Sequence, residues 1–184
     1  IRGFDADHVG KPGQTRLQWI MQAMCQREQT RQQLPLSADL QLDVFREFAE
    51  MTAKGEPRNT ETLRFVFEVM TGLEANQINE LTKKSGKFKD HPLIRYVNKT
   101  NNWVFTQDQI EYVLLAEKVL ALSEMPNGQD SLALLLNHQG FSKSLQAEVA
   151  TSIVQQIFEP GDNDDALARC KSIIAAISGA GSLE

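Results

Sequence analysis

From residue 14 to residue 178, apolar side chains return every three or four positions, and glycine or proline repeatedly interrupts the rhythm. That period places side chains on one face of an α-helix, and the breakers at Pro35, Gly55, Pro126-Asn127-Gly128, Gly140, Pro160-Gly161 and Gly179 cut it into short segments. The chain is therefore expected to be mainly all-α, an irregular bundle of about seven to eight helices. No motif repeats at a fixed period, which argues against a solenoid.

Each segment carries its own start or stop signal. In 14–32, Leu17, Ile20, Met21 and Met24 share a face while Gln14, Gln18, Gln22 and Gln26 form a parallel amide stripe. Ser37 is placed to cap a second helix over 38–53, which carries Leu42, Phe45, Phe48 and Ala49 inward. Between 60 and 71, Leu63, Phe65, Val66, Phe67, Val69 and Met70 cover more than half of the helix circumference, the pattern of a helix at the centre of a bundle. A short helix follows over 74–84. Thr106, with Gln109 three residues on, makes a capping-box signal for a long apolar helix through Ile110, Val113, Leu114, Leu115, Val119, Leu120 and Leu122. Shorter helices are expected over 131–139, 143–158 and 164–178.

One stretch reads two ways. Leu93–Val97 and Trp103–Phe105 are β-prone runs separated by an Asn-rich turn, which describes a small hairpin near 93–105. Alternatively, Pro92 is the first residue of a short helix capped by Asp90.

At 184 residues and 41% hydrophobic content the chain suits one domain: an irregular segment 1–13, a helical core unit 14–125 containing a connector at 83–105, C-terminal helices over 126–179, and a tail at 180–184. Two cysteines, Cys25 and Cys170, are too few for a disulfide scaffold or a zinc site, so both are read as reduced thiols in a cytoplasmic, intracellular setting. No apolar run reaches the 18 to 20 residues of a membrane span, and no signal peptide is recognised. The chain begins without methionine and ends on Leu183-Glu184, and so reads as a piece of a larger protein.

Charge is distributed unevenly. Through residue 99 there are 15 Lys+Arg against 13 Asp+Glu, and beyond it 4 against 11, so a net charge of −5 hides a slightly basic first half. The cations concentrate in the connector: Lys83, Lys84, Lys87, Lys89, Arg95 and Lys99 face one acid, Asp90, with Phe88, Tyr96, Trp103 and Phe105 interleaved. Cations beside flat rings suit an anionic, stackable partner. His91, a titratable cation in the same loop, would add a phosphate contact. Overall acidity opposes a general nucleic-acid coat role.

Other chemistry is sparse. His8, His91 and His138 lie at no metal-ligand spacing from other donors, so no metal and no cofactor is expected. His138 fits the last turn of a helix, where a cation complements the carbonyl end. Cys170 shares a face with Leu167 and Ile174 and reads as core, while Cys25 has no histidine beside it in sequence to activate it. Asp162, Asp164 and Asp165 lack the glycine and glutamate of a calcium loop and read as helix capping. Trp19 lies about 200° round the first helix from Leu17, off the apolar face, where it can anchor a partner protein or be covered by residues 1–13.

The reading that follows is a non-enzymatic helical binding module, docking another macromolecule through Lys83, Lys84, Lys87, Lys89, His91, Arg95, Lys99 and Trp103, with Trp19 as a protein-docking residue. Another protein is the expected partner. Nucleic acid is the first alternative, since a hairpin after the 74–84 helix would resemble a winged-helix reader, although the space from Lys84 to Leu93 is too short for a full recognition helix. Phosphoinositide or other anionic lipid is the second, and an enzyme with an unrecognised site the third.

Overall fold

The computed structural model describes residues 14–83, 85–158, 168–171 and 173. Among them are seven α-helices: α1 Arg16–Gln32, α2 Ala38–Ala53, α3 Thr60–Thr71, α4 Ala75–Thr82, α5 Asp108–Glu124, α6 Gln129–Leu136 and α7 Lys143–Phe158. A 3₁₀ turn, Lys87–Asp90, and two strands, β1 Ile94–Val97 and β2 Asn102–Phe105, lie between α4 and α5.

The caps explain where the helices begin. Thr15 accepts from the Gln18 backbone N–H while the Gln18 side chain accepts from Thr15 N–H, closing both ends of a capping box on α1. Ser37 Oγ accepts from Leu40 N–H at the start of α2. Asn59 does the same for Thr62 in α3. The cap expected at Thr106 is absent. Its hydroxyl donates instead to the Pro92 carbonyl at 2.6 Å and its N–H to the Leu93 carbonyl, so Thr106 closes the base of the hairpin and α5 starts two residues later.

The stretch 93–105 is a hairpin. Ile94 pairs with Phe105, Arg95 with Val104, Tyr96 with Trp103 and Val97 with Asn102. The two-residue period puts Ile94, Tyr96, Trp103 and Phe105 on one face and Arg95, Val97, Asn102 and Val104 on the other. Asn101 turns the chain at φ +55°, a conformation asparagine tolerates.

α5 is the central helix. Ile110, Val113, Leu114, Leu115, Ala116, Val119, Leu120 and Leu122 are buried, and α2, α6, α7 and β2 all pack on it. α3 is not central, although its composition predicted that place. Leu63, Val66 and Phe67 are fully buried against α2, but Phe65 is 52% and Val69 63% exposed on the opposite side. Among the described residues no second layer covers α3, so only one face of this apolar helix is used.

Candidate functional site

The connector wraps the end of α1, and its aromatic residue points inward. Phe88 is fully buried, with ring centroids 5.6 Å from Phe45, 5.3 Å from Phe67 and 5.2 Å from His91. The 3₁₀ turn is an anchor, driven by burial of that ring.

His91 and Trp103 are corrected from surface to interior. His91 is only 2% exposed. Its Nδ1 accepts from Leu93 N–H at 3.2 Å and its Nε2 meets Gln41 Oε1 at 3.1 Å, while Gln41 Nε2 donates to the carbonyls of Cys25 and Leu36. Burial, with Arg27 and Arg31 nearby and only partly offset by Glu28, pushes the imidazole pKa down to about 4. A neutral, enclosed ring cannot contact phosphate. Trp103 is likewise enclosed: its Nε1 donates to Thr60 Oγ1 at 3.1 Å, its backbone N–H to the Arg58 carbonyl, and Tyr96 packs edge-on against it at 5.3 Å. Neither ring is available for stacking on a base.

The cations divide into two groups. Lys83 pairs with Glu80 at 2.6 Å, and Lys87 Nζ donates to the Gln33 carbonyl at the end of α1. Arg31 donates to the Asp90 carbonyl from the other side. The Lys87 and Arg31 contacts staple the connector to α1. Lys89, Arg95 and Lys99 are exposed and take part in no ion pair among the described residues; Lys84 lies outside those residues.

Beside this staple, Glu28 is shielded from water by a cover one side chain thick, made by half-exposed Arg27 and Arg31. Burial would raise its pKa, but hydrogen bonds from Arg31, Gln32 and Arg27 and the charge of Arg31 hold it at about 2. Cys25 lies next to it with no exposure, and burial together with Glu28 and Asp39 pushes its thiol up to about 12. Such a thiol is inert packing.

Trp19 is half-buried on α1 and makes contacts of its own, so it does not stand out as a free anchor. Cys170 is half-buried against the core. His138 is exposed after α6, its Nδ1 accepting from Gly140 N–H. His8 and the cluster Asp162, Asp164 and Asp165 lie outside the described residues. Among those residues no group of three His, Cys, Asp or Glu side chains is placed to hold a metal ion, and no helix is long and apolar enough to cross a membrane.

Polar side chains also gather in a crevice between α1, α2 and α5. There Arg46 bridges Asp43 and Glu117, and Gln18 donates to Glu117 at 2.9 Å and to Gln156 at 3.2 Å. Arg46 and Gln18 are thus engaged with these carboxylates and with Gln156.

Large apolar side chains stand exposed at Leu134 on α6, at Val154 and Phe158 on α7, and at Phe65 and Val69 on the outer face of α3. Taking Phe65 as reference at about 100° per residue, Val69 lies about 40° to one side, and Glu61 and Glu68 lie about 40° and 60° to the other. All four are exposed. Leu63, Val66, Phe67 and half-buried Met70 occupy the reverse side. The sequence held a signal for this surface: six large apolar residues in twelve are more than one packing face consumes.

No family model, curated protein or solved structure matches the chain.

Proposed function

We propose that this chain is a non-enzymatic binding module that docks another protein through the outer face of α3. The supporting observation is that Phe65 and Val69, one helical turn apart, stand 52% and 63% exposed on a helix whose other side is fully packed. Full burial of such a side chain is worth about 1.5–3 kcal/mol, so these two, half to two-thirds exposed, each leave roughly 1–2 kcal/mol for a partner to recover.

The basic segment becomes the secondary surface. Phe88, His91, Trp103 and Phe105 are interior and Lys83 and Lys87 are engaged within the chain, so among the described residues a nucleic-acid or anionic-lipid reading retains Lys89, Arg95, Lys99 and half-buried Tyr96 as support.

A photo-crosslinking residue at position 65 tests the proposal against one at Ala150, which is exposed on α7. A discrete protein adduct from position 65 alone, competed by the unmodified chain and not by a Val69→Asp chain, is expected. Equal labelling from both positions, or competition by the variant, removes the proposal. Loss of the adduct on reversing Lys89, Arg95 and Lys99 together transfers the docking role to the basic segment.

A further inference from the structure

On the premise that α3 is a docking face, we propose that its occupant is a basic amphipathic helix of another protein, with apolar side chains over Phe65 and Val69 and Lys or Arg against Glu61 and Glu68. The charge of the face argues for this. Glu61 is four residues before Phe65 and Glu68 three after it, the two spacings that make helix neighbours, so both carboxylates flank the apolar pair on the same edge. Neither takes part in an ion pair among the described residues. Arg64, the one cation of α3, is three residues after Glu61 and four before Glu68, so it borders both acids on the side away from Phe65, and the edge keeps a net charge of −1 next to the apolar pair.

The shape of the face argues for a helix. A single exposed helix is convex, and its i, i+4 apolar ridge fits the groove of another helix more readily than the flat edge of a sheet. Close approach is open at the C-terminal end of α3. Gly72 ends the helix there at φ +63°, exposed, and a Cβ in its place would meet nothing within 4 Å.

The same acids disfavour other occupants. A second copy of this chain seated antiparallel, by a two-fold axis perpendicular to α3, would bring the two acidic edges together, and like charges across an interface oppose that pairing. Nucleic acid or an anionic bilayer would meet the same repulsion.

The test titrates the whole chain with three designed amphipathic helical peptides that share one apolar face and differ in their flanks: Lys and Arg, Gln, or Glu. Binding is followed by fluorescence anisotropy at two salt concentrations. The basic peptide is expected to bind about tenfold more tightly than the Gln peptide, with the advantage shrinking at high salt and the Glu peptide weakest. Glu61→Lys with Glu68→Lys should invert the order, and Phe65→Ser should abolish all binding while circular dichroism stays at wild type and thermal unfolding remains cooperative, its midpoint lower by only a few degrees. Equal affinity for the basic and Gln peptides, with Phe65→Ser still abolishing both, overturns the charge assignment and leaves the docking face standing. Binding of no peptide, or binding unaffected by Phe65→Ser, overturns both. Dimers in sedimentation velocity that vanish in Phe65→Ser would identify a second copy as the occupant.

Discussion

The imidazole Nε2 of His91 and the side-chain oxygen of Gln41 meet 3.1 Å apart in a site closed to water. Nδ1 of the same ring already accepts from Leu93 N–H, and Gln41 Nε2 is committed to two carbonyls. Only the neutral tautomer with its proton on Nε2 satisfies every partner. A second proton, on Nδ1, would confront a backbone donor. Between pH 6.5 and about 4 the unfolded chain binds this proton and the folded chain does not, so stability falls as the pH falls through that window. The full effect is about 3 kcal/mol. Urea unfolding from pH 7.5 to 4.5 checks it: wild type should lose stability steadily, and His91→Gln should show a much shallower slope. Parallel slopes would remove His91 as the cause.

Trp103 sets a second expectation. Its ring fills the space between the hairpin and the start of α3 and donates to Thr60. Trp103→Ala should cost about 3–5 kcal/mol. Trp103→Phe should cost less, leaving mainly the Thr60 hydroxyl without its donor. In a Trp19→Phe background the remaining emission should be blue-shifted and resistant to iodide. Red-shifted, readily quenched emission would return Trp103 to the surface.

The outcome at Trp103 shows which physics is readable along the chain. Helix starts at Thr15 and Ser37 follow from contacts spanning three residues, and α5 from a pattern its own length contains. The hairpin depended on partners far away: Trp103 N–H bonds to Arg58, and Arg58 is clamped by Glu111 on α5 at 2.6 and 3.0 Å. No local rule specifies that triangle. Thr106 failed as a cap for the same reason: the carbonyls of Pro92 and Leu93 hold its hydroxyl and its N–H at the base of the hairpin, two residues before α5 begins. Charge density singled out the connector, which folds as a 3₁₀ turn followed by a hairpin. It could not show that Phe88, His91 and Trp103 would turn inward, since burial is decided by the surrounding helices. On α3 the sequence showed an excess of apolar residues and was silent on which of them would be left over.

Two glycines separate crowding from backbone conformation. A Cβ at Gly140 would press on the Ala53 carbonyl and on Gly55 N, backbone atoms that cannot swing aside. Gly140→Ala should therefore cost about 1–3 kcal/mol. Gly72 has open space but φ +63°, so Gly72→Ala should cost only about 1 kcal/mol. Chemical denaturation of both variants tests the ranking. A greater loss at Gly72 would show that the loop at 138–141 does not pack on the end of α2.

Phe65 and Phe67 are two residues apart on α3 and face opposite ways. Phe67 is fully buried, with its ring 5.3 Å from that of Phe88, so Phe67→Ala should cost about 3–5 kcal/mol through the cavity it leaves. Phe65 is half in water, and phenylalanine and serine have similar helix propensities, so Phe65→Ser should cost no more than about 1 kcal/mol, the half of the ring that is buried. Thermal and urea unfolding of the two single variants measure the contrast. A loss at Phe65 comparable to that at Phe67 would mean that the outer face of α3 is part of the core, and it would leave no apolar surface there for a partner to cover.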